Sequence, residues 1–501
     1  MTHAPSSLLR RARPLMVARF VSAALTVGVP MVLARVLVPA EYGTYREAIL
    51  VSNTLYLVLP MGITLSLYYF VPREPALRGA FIGQTLVATT AAGVAAAALL
   101  LAARPLLVGH FGNAALGAMT PWMAAFTLFT LAGTSLDIAL NATGAIAAAA
   151  LARAGTEVVR AAAMVAGTLL TRSLSGALAG LAVAAGVRAA LTWVWVVRAH
   201  GVAVSWPALR RQLAYALPFG LAALALTAQQ QFHQYVVGGA VVAAAFAVYN
   251  VGCFQLPIVD VLYTPVSEVL QLGLADLDRQ ARPRAGLALF HEAVSRLSLA
   301  FVPLVALLLV VAPAFIGFVF SDRYLAAVPL FRLSLLAIPL AALPLDGVMR
   351  ARAQNRFMLA ASLAKLAVTI ALVLAGFRAF GMEGALGGFV AAEVVNRAVL
   401  LARAARLFET GLVGVLPWGD LARQGLAAAL ATPFAWAAVH ALRAPRLVLL
   451  VAAGASFAAV YGGVLWWRGW LRAEWSALPR DASPSPRPRL VPAGKQEEGA
   501  A

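Results

Sequence analysis

Arg19, Asp137, Glu157, Arg160 and Arg188 stand inside long apolar runs in the first part of the chain. Asp260, Glu268, Lys365, Glu393 and Arg397 stand inside those of the second part. An ionised side chain at the centre of such a run costs about 2.5–3.5 kcal/mol in lipid, so each needs a counter-charge, water or a polar ligand. Glu157 and Arg160 have i,i+3 spacing and Glu393 and Arg397 have i,i+4 spacing, so each pair can share one helix face. A guanidinium can grip phosphate oxygens through two parallel hydrogen bonds, which makes Arg160, Arg188 and Arg397 candidate anion ligands. The polar run Gln229, Gln230, Gln231, Phe232, His233, Gln234 closes another apolar stretch. It reads either as a cavity face or as the wet end of a helix.

Each of these residues also has a plainer account. Arg19 is near the start of its run and can snorkel to the headgroups. Asp137 and Asp346 lie near run ends, where pairing with a nearby Arg suffices. Glu157/Arg160 and Glu393/Arg397 can be neutral structural pairs. Arg188 lies deeper and has no carboxylate on its own helix, which favours a place in a cavity. Catalytic signatures are missing: the sequence has no Walker A loop, no His-Glu-x-x-His and no cysteine pair for a metal. His3, His110, His200, His233, His291 and His440 are scattered. No catalytic residue, metal or cofactor is assigned.

The elements that would position these groups follow from composition. Hydrophobic residues make up 62% of the 501 residues and charged residues 12%, against about a half and a quarter in soluble domains. Lipid is the solvent for such a chain. The net charge of +19 would suggest nucleic acid in a soluble protein. Here the basic residues lie in short links between apolar runs, a pattern of membrane topology and anionic-lipid contact, so no nucleic-acid partner is expected. Cys253 is the single cysteine, and inert packing is its default role. A cleaved signal peptide is rejected because the first apolar run is too long and holds Arg19.

The chain divides into roughly fourteen apolar runs of membrane-crossing length, joined by short links. The fold class is therefore all-α, a polytopic membrane protein. Arg10, Arg11, Arg13, Arg73, Arg78, Arg153, Arg198, Arg210, Arg211, Arg279, Arg350, Arg352, Arg403 and Arg406 mark one set of run ends. The opposite ends carry far fewer, among them Arg35, Arg46, Arg104, Arg172 and Arg323. The positive-inside rule then places both termini in the cytoplasm. The tail beyond 470 is rich in Pro, Ser and Arg and predicts disorder.

Three stretches repeat at an offset near 209 positions. Ser135-Leu136-Asp137 recurs as Pro344-Leu345-Asp346, and Gly176-Ala177-Leu178-Ala179-Gly180 as Gly384-Ala385-Leu386-Gly387-Gly388. Ala40–Tyr45 has a weaker echo in Ala244–Tyr249. Arg188 and Arg397 coincide under this shift. The repeat predicts a six-helix lobe over 15–200, a second over 201–407, two extra helices over 408–469, and terminal segments 1–14 and 470–501. Repeated lobes with a site between them are a transporter plan. Pro30, Pro60, Pro218, Pro257 and Pro265 interrupt runs and either bend helices for alternating access or are simply tolerated in lipid.

The first two runs form a hairpin around Leu33-Ala34-Arg35-Val36-Leu37-Val38-Pro39-Ala40-Glu41-Tyr42-Gly43-Thr44-Tyr45. Pro39 and Gly43 are read as the turn, Tyr42 and Tyr45 as rings at the water–lipid boundary, and Arg35, Arg46 and Glu47 as one charged cluster. This stretch resembles the opening of bacterial Wzx-type polysaccharide flippases, of the multidrug/oligosaccharidyl-lipid/polysaccharide (MOP) exporter superfamily. The resemblance implies two lobes and a site that faces Gln230 and His233. It also implies a substrate, an undecaprenyl-pyrophosphate-linked oligosaccharide moved from the cytoplasmic to the periplasmic leaflet of the inner membrane. Arg19, Arg160, Arg188, Gln230, His233 and Arg397 would line the pyrophosphate and sugar cavity. Asp137, Glu157, Asp260 and Glu393 would serve ion coupling or structural pairing. Membrane lipids and the polymerase and export machinery of the same pathway are the expected partners. Two alternatives stay open: a multidrug or cation antiporter, which calls for more buried carboxylates, and a membrane enzyme acting on lipid-linked glycan.

Overall fold

The computed structural model describes residues 22, 24–280 and 282–470, and all secondary structure in that range is helical. Arg10, Arg11, Arg13, Arg19 and the tail from 471 fall outside the described residues, so the expectations placed on them do too. The helices are α1 (Ala24–Val36), α2 (Pro39–Val58), α3 (Leu67–Arg73), α4 (Arg78–Ala102), α5 (Arg104–Phe111), α6 (Ala114–Ala132), α7 (Leu136–Ala142), α8 (Ile146–Thr171) and α9 (Leu174–Ala199). There follow α10 (Trp206–Gly238), α11 (Ala243–Gly252), α12 (Pro257–Arg279), α13 (Pro283–Val319), α14 (Val328–Leu335), α15 (Ile338–Ala341) and α16 (Leu345–Ala351). The last described helices are α17 (Asn355–Leu407), α18 (Trp418–Ala441) and α19 (Arg446–Trp467).

Among the described residues nine helical segments are long and apolar enough to cross a bilayer. The roughly fourteen runs expected from the sequence all fall on helix, as α1, α2–α3, α4, α6–α7, α8, α9, α10, α11–α12, α13, α14–α16, the two arms of α17, α18 and α19, and length and hydropathy count fewer for physical reasons. α17 holds two runs in one 53-residue element that reverses at Phe380 and Gly381, where Gly381 takes φ +60°. α11 and the described part of α1 are short, and α2 and α8 carry charged residues. Several runs are broken midway: α2 from α3 at 59–66, α6 from α7 at 133–135, and α11 from α12 at 253–256. Pro60 lies in the first break and Pro257 opens the helix after the third. Broken backbone at membrane depth survives only where protein or water meets its polar groups.

The repeated sequences do the same work in both halves. α8 and α9 touch along glycines: a Cβ on Gly167 would lie 2.1 Å from the carbonyl oxygen of Gly176, and one on Gly180 2.2 Å from that of Ala163. The two arms of α17 meet in the same way, with Gly376 2.1 Å from the Gly384 oxygen and Gly388 2.3 Å from that of Leu372. Helix association in lipid rests on such close backbone approach.

The hairpin at 37–39 departs from expectation. Pro39 is the first residue of α2, where its missing N–H costs nothing. Gly43 lies inside that helix and is no breaker: a Cβ there would overlap the Ala243 carbonyl oxygen at 1.8 Å, so glycine lets α2 and α11 touch. Tyr42 and Tyr45 are buried, not at the lipid boundary. Tyr42 packs edge-on against Tyr324 at 5.7 Å, and the Tyr45 hydroxyl points to Met164 Sδ at 3.7 Å. Arg35, Arg46 and Glu47 do not cluster. Arg35 donates to the carbonyls of Phe318 and Val319. Arg46 Nε donates to Asn250 Oδ1 at 3.1 Å. Glu47 is fully buried and accepts from Asn113 Nδ2 at 2.7 Å.

Candidate functional site

Two adjoining cavities open among the helices of the first half. One, of about 340 Å³, is lined from α1, α2, α6, α8 and α9 and presents Arg46, Asn53, Glu157 and Arg160. The other, of about 210 Å³, lies among α2, α6, α8 and α9 and presents Ser52, Asn53, Tyr56, Thr127, Thr130, Glu157, Arg160 and Arg188. Asn53, Phe126, Glu157 and Arg160 border both. Arg46, Arg160 and Arg188 meet Glu157 in the lining and Asp137 just behind Arg188, which leaves one positive charge in excess and favours an anion. Such a surplus inside apolar helices calls for water or an anionic ligand.

The cations are held differently. Arg160 bonds Glu157 one helical turn away, and its side chain keeps 49% of its exposure. Arg188 is more constrained. Its Nε donates to the Gly133 carbonyl at 2.9 Å and one terminal nitrogen to Asp137 Oδ1 at 2.7 Å. Gly133 lies in the break between α6 and α7, so Arg188 satisfies backbone freed by that break. Arg397 plays the matching part in the second half. It donates to the Leu343 carbonyl at 2.9 Å, in the break between α15 and α16, and to Glu393 at 2.8 Å. Lys365 Nζ takes the other Glu393 oxygen at 2.6 Å. Asp346 pairs with Arg350 and accepts from Tyr263.

The residues singled out from the sequence therefore scatter. Arg160, Arg188 and Glu157 come together in the first-half cavities, with Asp137 behind Arg188. Arg397 and Glu393 form a separate knot with Lys365 and line neither cavity. His233 is buried; its Nδ1 lies 2.6 Å from the Tyr249 hydroxyl and its ring 4.5 Å from that of Phe389, so it packs α10 against α11 and α17. Gln230 and Asp260 are exposed and have no side-chain partner among the described residues. Gln229 and Gln231 tie α10 to neighbours instead: Gln229 donates to the Ser362 carbonyl at 2.8 Å, and Gln231 accepts from Thr54. Sequence reasoning missed Arg46, Ser52, Asn53, Thr127 and Thr130 as a lining. The signal was carried by Arg46 and Asn53, seven positions apart on α2, whereas lone hydroxyls in apolar runs gave none.

Broken helices, glycine seams repeated in both halves and a charged cavity among apolar helices belong to an all-α polytopic membrane fold. The chain superimposes on the lipid II flippase MurJ in an inward closed conformation with a TM-score of 0.72, at 14% identity over 91% of this chain and 99% of that one. It also resembles a multidrug resistance MATE family transporter of the MOP superfamily (TM-score 0.57, 15% identity, 81% and 99% covered). A MOP superfamily transporter from Pyrococcus furiosus is similar too (TM-score 0.55, 14% identity, 80% and 96% covered). The chain belongs to the polysaccharide biosynthesis protein family, whose model matches residues 32–329. No curated protein sequence matches it.

Proposed function

We propose that this protein is a flippase for an oligosaccharide carried on undecaprenyl pyrophosphate, moving it from the cytoplasmic to the periplasmic leaflet of a bacterial inner membrane. The observation that carries the reading is the cation-lined cavity of Arg46, Arg160 and Arg188 among apolar helices. A pyrophosphate is the anion a lipid-linked glycan offers, and paired guanidiniums suit its oxygens. A cation antiporter would need the opposite balance of charge. The family is one of polysaccharide biosynthesis, and one structure of the same fold is described as a lipid II flippase. Both agree with a lipid-borne glycan as cargo. In this reading the lobes expected over 15–200 and 201–407 rock against each other, with the prenyl chain left in lipid. The sequence has no nucleotide-binding loop, so the drive is an ion gradient or the membrane potential.

Arg160 gives the cleanest test, because it lines both cavities and is only half buried. Arg160→Glu should lower glycan export at least tenfold in a strain lacking the native gene, with Arg160→Lys keeping a part. Export is normalised to protein level by immunoblot. Wild-type export by a normally abundant Arg160→Glu protein would overturn the proposal.

A further inference from the structure

Of the cations around the cavities, Arg46 is the one that no carboxylate answers among the described residues. Arg160 is met by Glu157 and Arg188 by Asp137. Arg46 commits only its Nε, which donates to Asn250 Oδ1 at 3.1 Å. Neither of its terminal nitrogens bonds to a described residue, and its side chain lines the larger cavity. Asn250 is buried, at 5% exposure, and its Nδ2 donates to the Phe246 carbonyl at 3.1 Å, one turn back on α11. Both ends of the amide are thus fixed. A guanidinium carries five N–H donors in a rigid fork, so the amide holds one side of Arg46 and leaves the two terminal nitrogens free. The bond also joins the halves at equivalent places. The echo of residues 40–45 in 244–249 makes Arg46 and Asn250 the next residue of each stretch, 204 positions apart. Gly43, one turn earlier on α2, touches Ala243 on the same seam between α2 and α11.

We propose that Asn250 is a positioning residue for the anion grip: carried by the second half of the chain, it holds Arg46 so that the site is complete only while the end with the 37–39 turn is closed. This rests on the reading of the larger cavity as the pyrophosphate site. An arginine side chain that is free to turn loses rotamer freedom when it grips an anion, and one already held by an amide loses less. A neutral amide suits the task, because it fixes the guanidinium without cancelling its charge as a carboxylate would. When the halves part at this end, Asn250 withdraws with α11 while Arg46 stays with α2 and the cavity. The grip then loosens in the state that opens toward the periplasm. The cargo is held tightly while the site faces the cytoplasm and weakly once it faces the other side, and the loss of one hydrogen bond between the halves drives its release.

The test measures binding of polyprenyl pyrophosphate to the full-length protein in nanodiscs, with polyprenol as the uncharged probe. Arg46→Ala should weaken the pyrophosphate about tenfold and Asn250→Ala about fivefold, with polyprenol unchanged in both. Arg46→Ala/Asn250→Ala should bind no worse than Arg46→Ala alone, because Asn250 acts through Arg46. A second background keeps the end closed with a short thiol cross-linker between Tyr42→Cys and Tyr324→Cys, in Cys253→Ser protein. Held closed, the protein with Asn250 should bind at least as tightly as the free protein, and Asn250→Ala should still weaken binding about fivefold. Wild-type affinity in Asn250→Ala or in Arg46→Ala would overturn the proposal, as would a loss that polyprenol shares. So would losses that add in the double variant, or an Asn250→Ala loss that vanishes once the end is held closed, as for a residue that only shuts the gate. Weaker binding by the closed protein than by the free one would overturn the release step. Wild-type affinity in Arg160→Glu as well as in Arg46→Ala would instead overturn the pyrophosphate reading beneath it.

Discussion

Arg160 and Arg188 border the same cavity but carry different burdens. Arg188 and Asp137 keep only 21% and 17% of their side-chain exposure, and Arg188 also holds the Gly133 carbonyl. Removing one partner of such a pair leaves the other charged and unmet, a loss of about 3–5 kcal/mol. Arg188→Ala should therefore lower the melting temperature of the detergent-purified protein, and Asp137→Asn with Arg188→Gln should recover much of the loss. An Arg188→Ala protein that melts like the wild type would show that the pair bears no structural load. Arg397→Ala should cost less, because Lys365 still holds Glu393. Loss of export in Arg188→Ala thus has two causes, whereas loss in Arg160→Glu has one. The sequence showed Arg188 as a deep, lone cation. It could not show Asp137 as its partner, because the two meet only when α9 packs on the α6–α7 break.

At the scale of helices, the glycine seams are where sequence and structure agree most closely. Gly176 and Gly180 recur as Gly384 and Gly388, and both sets set backbone against backbone. Small residues in lipid-facing helices have few other uses, so the pattern was readable. The hydroxyls of Ser52, Thr127 and Thr130 were not, since in an Ala- and Leu-rich run a hydroxyl normally bonds to its own helix. Tyr42 and Tyr45 misled for a related reason: a ring that suits the headgroup layer also suits a buried interface. Gly176→Val and Gly384→Val should each push an arm aside at an overpacking cost of about 1–3 kcal/mol. Both variants should show reduced monodisperse protein by fluorescence size-exclusion, and normal profiles for both would contradict the close-contact reading.

At the scale of the molecule, contacts between the halves gather at the end that holds the 37–39 turn. They include Arg35 to Phe318 and Val319, Arg46 to Asn250, Tyr42 to Tyr324, and Gly43 against Ala243. At the other end the first turns of α10 reach across: Arg211 pairs with Glu74, and Gln212 donates to Ser66 and Thr85. If rocking opens the first end, a short thiol cross-linker between Tyr42→Cys and Tyr324→Cys, in a Cys253→Ser background, should stop export. A cleavable linker should restore it on reduction, and undiminished export by the cross-linked protein would rule out opening there. Reporter fusions should place the 37–39 turn in the periplasm and residue 470, which stacks near Arg423, in the cytoplasm. Strong periplasmic alkaline phosphatase activity from a fusion after residue 470 would reverse that orientation. The reversal at Gly381 bears on how the chain is made. Lys365 lies on the first arm of α17 and its partner Glu393 on the second. An arm that left the translocon alone would carry a bare ammonium into lipid, at about 2.5–3.5 kcal/mol. A turn as tight as that at Phe380 and Gly381 lets both arms depart together, so that the charge enters the bilayer already neutralised.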